Sequence, residues 1–163
     1  MALAYVSLGS NINAEQHLCA SLAEFKATFG QVTCSRLYQT PAEGFAGPPF
    51  LNAVIGFASE WDVETLRGWL RDLENTQGRI RHGEKFSSRT LDADLLLYGD
   101  VISADGKLPH ADILKYPFVL YPLAEIAPTL QHPVLKQDMA TIAHHSHLAS
   151  TSMQPVELEG WQT

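Results

Sequence analysis

The chain has 163 residues, 45% of them hydrophobic and 18% charged, a composition typical of one ordinary globular domain. Its 11 lysines and arginines against 18 aspartates and glutamates give a net charge of −7, which argues against binding to nucleic acid or to an anionic membrane surface. No apolar run predicts a transmembrane helix, the N-terminus does not resemble a secretory signal, and two isolated cysteines indicate a cytoplasmic protein with reduced thiols.

The first half of the chain predicts a strand, a helix and two further strands. Residues 2–8 form an apolar strand, and Asn13 with Gln16 matches a capping box at the start of a helix. The apolar face of that helix consists of Leu18, Leu22, Phe25 and Phe29. Strands follow over residues 31–38 and 50–58. Alternation in the third strand assigns Leu51, Ala53, Ile55 and Phe57 to one face and Phe50, Asn52 and Val54 to the other.

The second half predicts one more helix and one more strand before the pattern becomes irregular. Asp62 is expected to cap a helix that ends at Gly78, with an apolar stripe of Val63, Leu66, Leu70 and Leu73. Residues 79–89 predict a basic loop. In a fourth strand over residues 91–98, Leu91, Ala93, Leu95 and Leu97 are expected on one face and Asp92, Asp94, Leu96 and Tyr98 on the other. A short helix is expected near residues 123–126, and the tail from about residue 150 is expected to be partly disordered.

The order β-α-β-β-α-β predicts an α+β protein with a ferredoxin-like core. In that arrangement an antiparallel sheet carries both helices on one face. We therefore expect a single domain over residues 1–163, with its core over about residues 2–130.

Two carboxylates in the fourth strand are candidates for a metal site. Asp92 and Asp94 stand two residues apart, so both side chains project from the same face. Oxygen ligands in this arrangement can hold Mg²⁺ together with waters and substrate phosphates. The alternative is an exposed strand face with two solvated acids.

The basic loop that precedes these aspartates is a candidate phosphate site. Arg79, Arg81, Lys85 and Arg89 against Glu84 give residues 79–89 a local charge of +3, and guanidinium groups suit phosphate oxygens. The alternative is a solvated charged loop. Cations that lead directly into a carboxylate pair fit phosphoryl transfer, and the chain has no P-loop motif.

Aromatic and amide side chains near these elements could hold a flat heterocycle. They are Phe50, Asn52, Phe86 and Phe118. Aromatic rings bind heterocycles by stacking, and an amide reads their edge donors and acceptors; the alternative for each is a role in the core. The histidines at 144, 145 and 147 lack companion ligands at zinc spacing, so a solvated cluster is expected there.

Seven short segments together resemble one enzyme family. The segments are residues 5–11, 38–41, 50–52, 77–81, 89–95, 109–110 and 118–128. In order and spacing they are similar to 6-hydroxymethyl-7,8-dihydropterin pyrophosphokinases, over residues 4 to about 130. The most specific segment is the string Arg-Thr-Leu-Asp-Ala-Asp at residues 89–94.

The resemblance implies a ferredoxin-like fold and transfer of the β,γ-pyrophosphate of ATP to the pterin hydroxymethyl group, with release of AMP, in folate biosynthesis. By the same likeness, Asp92 and Asp94 would hold two Mg²⁺ ions. Arg81 and Arg89 would bind phosphates and transition-state charge, and Glu74, Arg79 and His110 would lie on the nucleotide side. The pterin slot would consist of Thr40, Phe50, Asn52, Phe86 and Phe118. The partners implied are these small molecules only, and the protein is expected to be a monomer.

Three departures from the family pattern qualify this expectation. Residues 86–88 are Phe-Ser-Ser where the family usually has Trp-Gly-Pro, and residues 46–49 replace an Asp-Gln-Pro element. Tyr116, followed by Pro117, stands where the family often has a phosphate-binding arginine, and Lys115 is a possible substitute. We expect an active enzyme that is slower or differently gated. The alternatives are a non-catalytic paralogue that binds pterin or nucleotide, and a ferredoxin-like interaction module with a charged loop.

Overall fold

The computed structural model describes residues 1–42, 47–78 and 90–161. Its strands are β1 (Ala2–Ser10), β2 (Val32–Cys34), β3 (Leu37–Thr40), β4 (Phe50–Ser59), β5 (Asp92–Tyr98) and β6 (Gln154–Val156). Its α-helices are α1 (Ala14–Phe29), α2 (Val63–Thr76), α3 (Pro117–Ile126) and α4 (Met139–His144). A 3-10 turn spans Ala111–Leu114. Within the described residues no helix combines the length and apolarity of a membrane span.

One antiparallel sheet separates two layers of helices. The strand order is β5-β1-β4-β3-β6, and β2 also pairs with β4. Leu18, Leu22 and Phe25 of α1 pack with α2 against one face of the sheet. On the other face, α3 and α4 pack against Val54 and Leu96. The predicted βαββαβ order and antiparallel sheet are confirmed, while the second layer of helices was not predicted.

The N-termini of the first two helices are built differently. Asp62 caps α2 as predicted, because its Oδ1 accepts a hydrogen bond from the Thr65 amide at 2.7 Å. Asn13 precedes α1 in a left-handed conformation with φ of 49° and makes no side-chain capping bond. The predicted capping box is therefore wrong; asparagine serves there because it tolerates positive φ.

The second predicted strand is divided in two by Ser35 and Arg36. The Ser35 amide donates to the Val54 carbonyl at 2.9 Å, and the Ser35 hydroxyl accepts from the Val54 amide at 2.9 Å. The Ser35 hydroxyl thus takes the place of a backbone carbonyl as acceptor for the Val54 amide of β4. β2 and β3 consequently remain on β4 despite the break.

The alternation of β5 changes at Leu96. Val6 of β1 pairs with Leu95 and Tyr5 with Leu97, so Leu96 is an extra residue of the kind found in a β-bulge. Leu97 therefore joins the core under α3, and Tyr98 joins the core under α1 and α2. The prediction for these two residues is wrong, whereas the alternation from Asp92 to Leu96 is regular as predicted.

The last third of the chain is more ordered than its prolines indicated. α3 begins at Pro117, where a missing amide hydrogen costs nothing in the first turn, so the helix is longer than expected. In the tail, β6 pairs with β3, and the buried Trp161 donates through Nε1 to the Ser35 carbonyl at 2.9 Å. The expectation of disorder is wrong for residues 150–161.

Candidate active site

A row of residues crosses the sheet beneath α3. β-strand register pairs Tyr38 with Asn52, Asn52 with Gly9, and Gly9 with Asp92. We call these four residues the central row. Directly paired residues of antiparallel strands face the same side, and Val54 and Leu96 identify that side as the one covered by α3. Neighbouring strands lie about 4.8 Å apart, so roughly 10 Å separates the backbones at Asn52 and Asp92.

Gly9 leaves a gap in the middle of the central row. A β-carbon at this position would lie 3.1 Å from Asn52 Oδ1 and 4.0 Å from the Phe50 ring. A larger side chain would therefore crowd both residues. The gap is flanked by Asn52 on one side and Asp92 on the other.

A hydrogen bond fixes the orientation of the Asn52 amide. Asn52 Nδ2 donates to Thr40 Oγ1 at 2.8 Å, and the two residues are only 7% and 6% exposed. Because the nitrogen is directed to Thr40, the oxygen faces the Gly9 gap. The sheet thus presents an acceptor to any heterocycle that enters the gap.

The backbone that carries Asp92 and Asp94 is fixed by a hydrogen bond from Ala93, the residue between them, to a side chain of α2. Both side chains are half-buried. The amide of Ala93 donates to Glu74 Oε2 at 2.9 Å, and Glu74 is only 6% exposed. Among the described residues β5 is the outer strand of the sheet, so a side chain from α2 takes the place of a neighbouring strand as acceptor for this backbone amide. Glu74, predicted to lie on the nucleotide side, also fixes the backbone that carries the two carboxylates.

His110 and Asp112 approach Asp94 from the segment before α3. Potential ligand atoms of these three residues all lie within 4.8 Å of one another, an arrangement that could hold a cation. His110 Nδ1 accepts a hydrogen bond from the Asp112 amide at 3.1 Å. A neutral imidazole bonded in this way carries its proton on Nε2. In this neutral form His110 Nε2 is a hydrogen-bond donor.

A groove of about 490 Å³ runs along the outer edge of β5. It is lined by Glu74, Asp92, Asp94 and His110, and by three cations. These cations are Arg67, Arg71 and Lys107. Arg67 is engaged with Glu64 at 2.9 Å and with Asp105 at 3.3 Å.

These three cations were not among the site residues predicted from the sequence. Arg67, Arg71 and Glu74 recur with helical spacing on α2, and this signal could have placed them on one face. Lys107 lies in an irregular segment and carried no comparable signal. The groove thus combines positive and negative side chains that are distant in sequence.

An aromatic pair stands at the start of α3. The rings of Tyr116 and Phe118 are stacked, with centroids 5.0 Å apart and planes inclined by 21°. Both residues are partly buried against the core under α3. Lys115, considered as a substitute phosphate ligand, places Nζ 5.3 Å from the Tyr116 ring centroid.

Part of the predicted site lies outside the described residues. This applies to Arg79, Arg81, Phe86 and Arg89, and their roles stay predictions. Of the other predicted residues, Thr40, Phe50 and Asn52 gather around Gly9, whereas Glu74, Asp92, Asp94 and His110 line the groove. The histidines at 144, 145 and 147 lie at and after the end of α4 and are not among the groove residues.

Comparison with known sequences shows the family of this chain. Residues 5–128 match the family model described as 7,8-dihydro-6-hydroxymethylpterin-pyrophosphokinase. This chain belongs to that family. The matched segment includes every predicted site residue, and the family membership confirms the prediction of an ATP-dependent diphosphokinase.

Curated relatives of the pyrophosphokinase family carry the name 2-amino-4-hydroxy-6-hydroxymethyldihydropteridine pyrophosphokinase. The Porphyromonas gingivalis protein is 37% identical over 142 residues, covering 82% of this chain and 95% of the relative. The Haemophilus influenzae protein is 36% identical over 139 residues, covering 82% of this chain and 86% of the relative.

Solved structures of the same family show the fold. Wild-type Plasmodium falciparum HPPK-DHPS with pteroate has a TM-score of 0.67 at 12% identity, covering 88% of this chain and 42% of the longer one. The triple mutant of that protein with pteroate has a TM-score of 0.71, covering 94% of this chain and 46% of the longer one. The pyrophosphokinase therefore spans less than half of these chains, and the prediction of a ferredoxin-like α+β fold is confirmed.

Proposed function

We propose that the Gly9 gap and the groove beside β5 are the two halves of one active site. There this pyrophosphokinase transfers pyrophosphate from ATP to 6-hydroxymethyl-7,8-dihydropterin in folate biosynthesis. The observation that carries the proposal is the position of Asp92, which belongs both to the central row and to the lining of the groove. A carboxylate at this junction can act on both substrates.

The pterin is assigned to the Gly9 gap. Asn52 Oδ1 accepts a hydrogen bond from the edge of the heterocycle, and Thr40 holds the amide in the orientation that this requires. The rings of Phe50 and Phe118 provide stacking surfaces, and Phe86 is assigned a covering role. The hydroxymethyl group then points along the central row towards Asp92.

Asp92 and Asp94 are assigned to two Mg²⁺ ions. The donor set fits, because two carboxylates project from one strand face at the wall of a polar groove, with their backbone fixed by Glu74. When bound, Mg²⁺ neutralises phosphate charge and polarises the attacking hydroxyl. Glu74 maintains the spacing of the two carboxylates.

ATP is assigned to the groove. His110 Nε2 donates to a phosphate oxygen, and Arg71 and Lys107 add positive charge at the groove wall. Arg79, Arg81 and Arg89 are assigned to the phosphates and to the charge that develops during transfer. The hydroxymethyl oxygen forms a bond to the β-phosphorus and releases its proton to solvent. The bond from this phosphorus to the α,β-bridging oxygen breaks, its electron pair passes to that oxygen, and AMP leaves with it.

The test is release of AMP from ATP in the presence of Mg²⁺ and the hydroxymethyl pterin. Asp94→Ala should reduce turnover by at least about 1000-fold, because electrostatic stabilisation of the transferring group is lost. Unfolding by urea would check that the variant retains its fold. Appreciable turnover by Asp94→Ala would contradict the two-metal assignment, and binding of both substrates to the unaltered protein without AMP release would support a non-catalytic paralogue instead.

We also propose that residues 1–163 form one pyrophosphokinase domain that acts as a cytoplasmic monomer. Both layers of helices share a single sheet, and the described part of one chain supplies residues to both substrate sites. Cys19 and Cys34 are free thiols, as expected in a reducing compartment. Sedimentation equilibrium of the purified protein would test the monomer.

A further inference from the structure

The segment between His110 and α3 contains a short aromatic stack. Tyr116 and Phe118 lie with centroids 5.0 Å apart and planes inclined by only 21°. The Lys115 ammonium lies 5.3 Å from the centroid of the Tyr116 ring, within the range of a cation–π contact. The Phe118 ring is therefore in contact with an aromatic neighbour before any substrate is bound.

Residues two positions apart in a helix point in different directions, so this stack needs a special backbone. Tyr116 precedes the helix in an extended conformation, with φ of −122° and ψ of 130°, while Phe118 already lies in the first turn. Pro117 enforces this difference, because proline restricts the preceding residue to extended conformations and suits the first position of a helix. The sequence Tyr-Pro-Phe thus builds the stack.

Backbone hydrogen bonds anchor Tyr116 on both sides. Its amide donates to the Asp112 carbonyl at 3.1 Å. Its carbonyl accepts from the amides of Val119 and Leu120 at 3.1 and 3.0 Å. The ring consequently starts from a fixed backbone position, and its side chain is also partly buried.

The stack restricts how Phe118 can receive a ligand. One face of the Phe118 ring is covered by Tyr116, so a heterocycle must stack on the opposite face. A ring held in this way loses less conformational freedom when the ligand binds than an isolated side chain would. Tyr116 carries no charge and does not itself line the groove.

We propose that Tyr116 is a positioning residue for pterin binding, which acts by holding the Phe118 ring in its stacking orientation. Because Tyr116 does not line the groove, we expect this role to affect the pterin and not the nucleotide. This inference rests on the assignment of Phe118 to the pterin slot.

The experiment compares Tyr116→Ala, Tyr116→Phe and Phe118→Ala by steady-state kinetics with each substrate varied, and by calorimetry of pterin binding. Tyr116→Ala should raise the pterin KM and Kd about 2- to 10-fold, the range of an aromatic pair, without changing the ATP KM or kcat. Tyr116→Phe keeps the ring and should restore the pterin KM. Pro117→Ala keeps both rings but frees the backbone, and it should raise the pterin KM by a smaller factor.

The outcomes distinguish the role of Tyr116 from the assignment of Phe118 to the pterin slot. An unchanged pterin KM in Tyr116→Ala, with weaker binding in Phe118→Ala, contradicts the role of Tyr116 only. Tighter pterin binding by Tyr116→Ala also contradicts it, because Tyr116 would then cover the ligand face. A change in the ATP KM would show that Tyr116 serves the nucleotide. Unchanged pterin binding by Phe118→Ala contradicts the pterin slot itself.

Discussion

At the scale of single residues, Gly9 has a role that depends on its lack of a side chain. Its backbone φ lies outside the left-handed region, so alanine could adopt the same conformation. The obstacle is the Asn52 oxygen, which a new β-carbon would approach to 3.1 Å. Asn52 cannot turn away without breaking its bond to Thr40.

Gly9→Ala should therefore weaken pterin binding more than it weakens the fold. We expect the pterin KM to rise at least about tenfold, the scale of an unwanted methyl group in a close-fitting pocket, with little change in the ATP KM. Steady-state kinetics with each substrate varied would measure this. Gly68→Ala is the matched control, because nothing lies within 4 Å of a β-carbon there, and its kinetics should not change. An unaltered pterin KM in Gly9→Ala would exclude the gap as the pterin site.

At the scale of elements, a side-chain contact joins α3 to β3. The Tyr38 hydroxyl donates to Glu125 Oε1 at 2.5 Å, and Glu125 Oε2 accepts from the Arg36 amide at 2.7 Å. Burial, together with this bond and the Glu125 charge, raises the pKa of Tyr38 to about 12. Phe118 and Thr40, assigned to the same slot, lie on the two elements that this contact joins.

Tyr38→Phe should show whether the contact sets the width of the slot. Loss of one hydrogen bond should lower the free energy of unfolding by about 1 kcal/mol, and the pterin KM should rise while the ATP KM does not. The control is Tyr121→Phe, which loses a 2.5 Å bond from α3 to the Leu148 carbonyl instead of a bond to β3. If the pterin KM of Tyr38→Phe did not exceed that of Tyr121→Phe, the Tyr38 contact would contribute to stability and not to pterin binding.

The elements also show what sequence patterns can and cannot predict. The alternation around Asp92 and Asp94 placed both carboxylates on one face because every intervening residue keeps the period of two. The bulge at Leu96 could not be predicted from the sequence. Leu95, Leu96 and Leu97 are all leucine, so the strand buries a leucine at each position with or without the bulge. Similarly, asparagine at position 13 is compatible with a helix cap and with a left-handed turn, and only the backbone conformation in the structure distinguishes the two. Of the groove cations, Arg67 and Arg71 carry a helical spacing that could have been used, whereas Lys107 reaches the groove only through tertiary packing.

At the scale of the whole molecule, a buried histidine links stability to pH. His132 is almost fully buried, and its Nδ1 accepts from the amides of Val134 and Leu135 at 3.2 Å each. Burial lowers the pKa of His132 below its ordinary value, because the charged ring is poorly solvated. As the pH falls below about 6.5, the unfolded chain takes up a proton that the folded protein does not. Stability is therefore complete above this pH and is lost as the pH falls towards the folded-state pKa.

Urea unfolding at about pH 7.5 and about pH 5.5 would measure this loss. His132→Asn keeps an acceptor for the two amides but cannot take up a proton, so the difference in unfolding free energy between the two pH values should shrink. His145→Gln, at an exposed position, should keep the difference of the unaltered protein. A pH dependence in His132→Asn equal to that of the unaltered protein would assign the effect to other groups.

The pairing of β6 with β3 has a consequence for how the protein is made. β3 carries Tyr38 and Thr40, and its outer partner comes from Gln154–Val156, more than a hundred residues later in the chain. The Trp161 bond to Ser35 closes the same side of the sheet. During synthesis, all residues of the proposed active site are translated before this outer strand exists. The β3 side of the proposed pterin site therefore gains its outer strand and its Trp161 bond only after residue 161 has been translated.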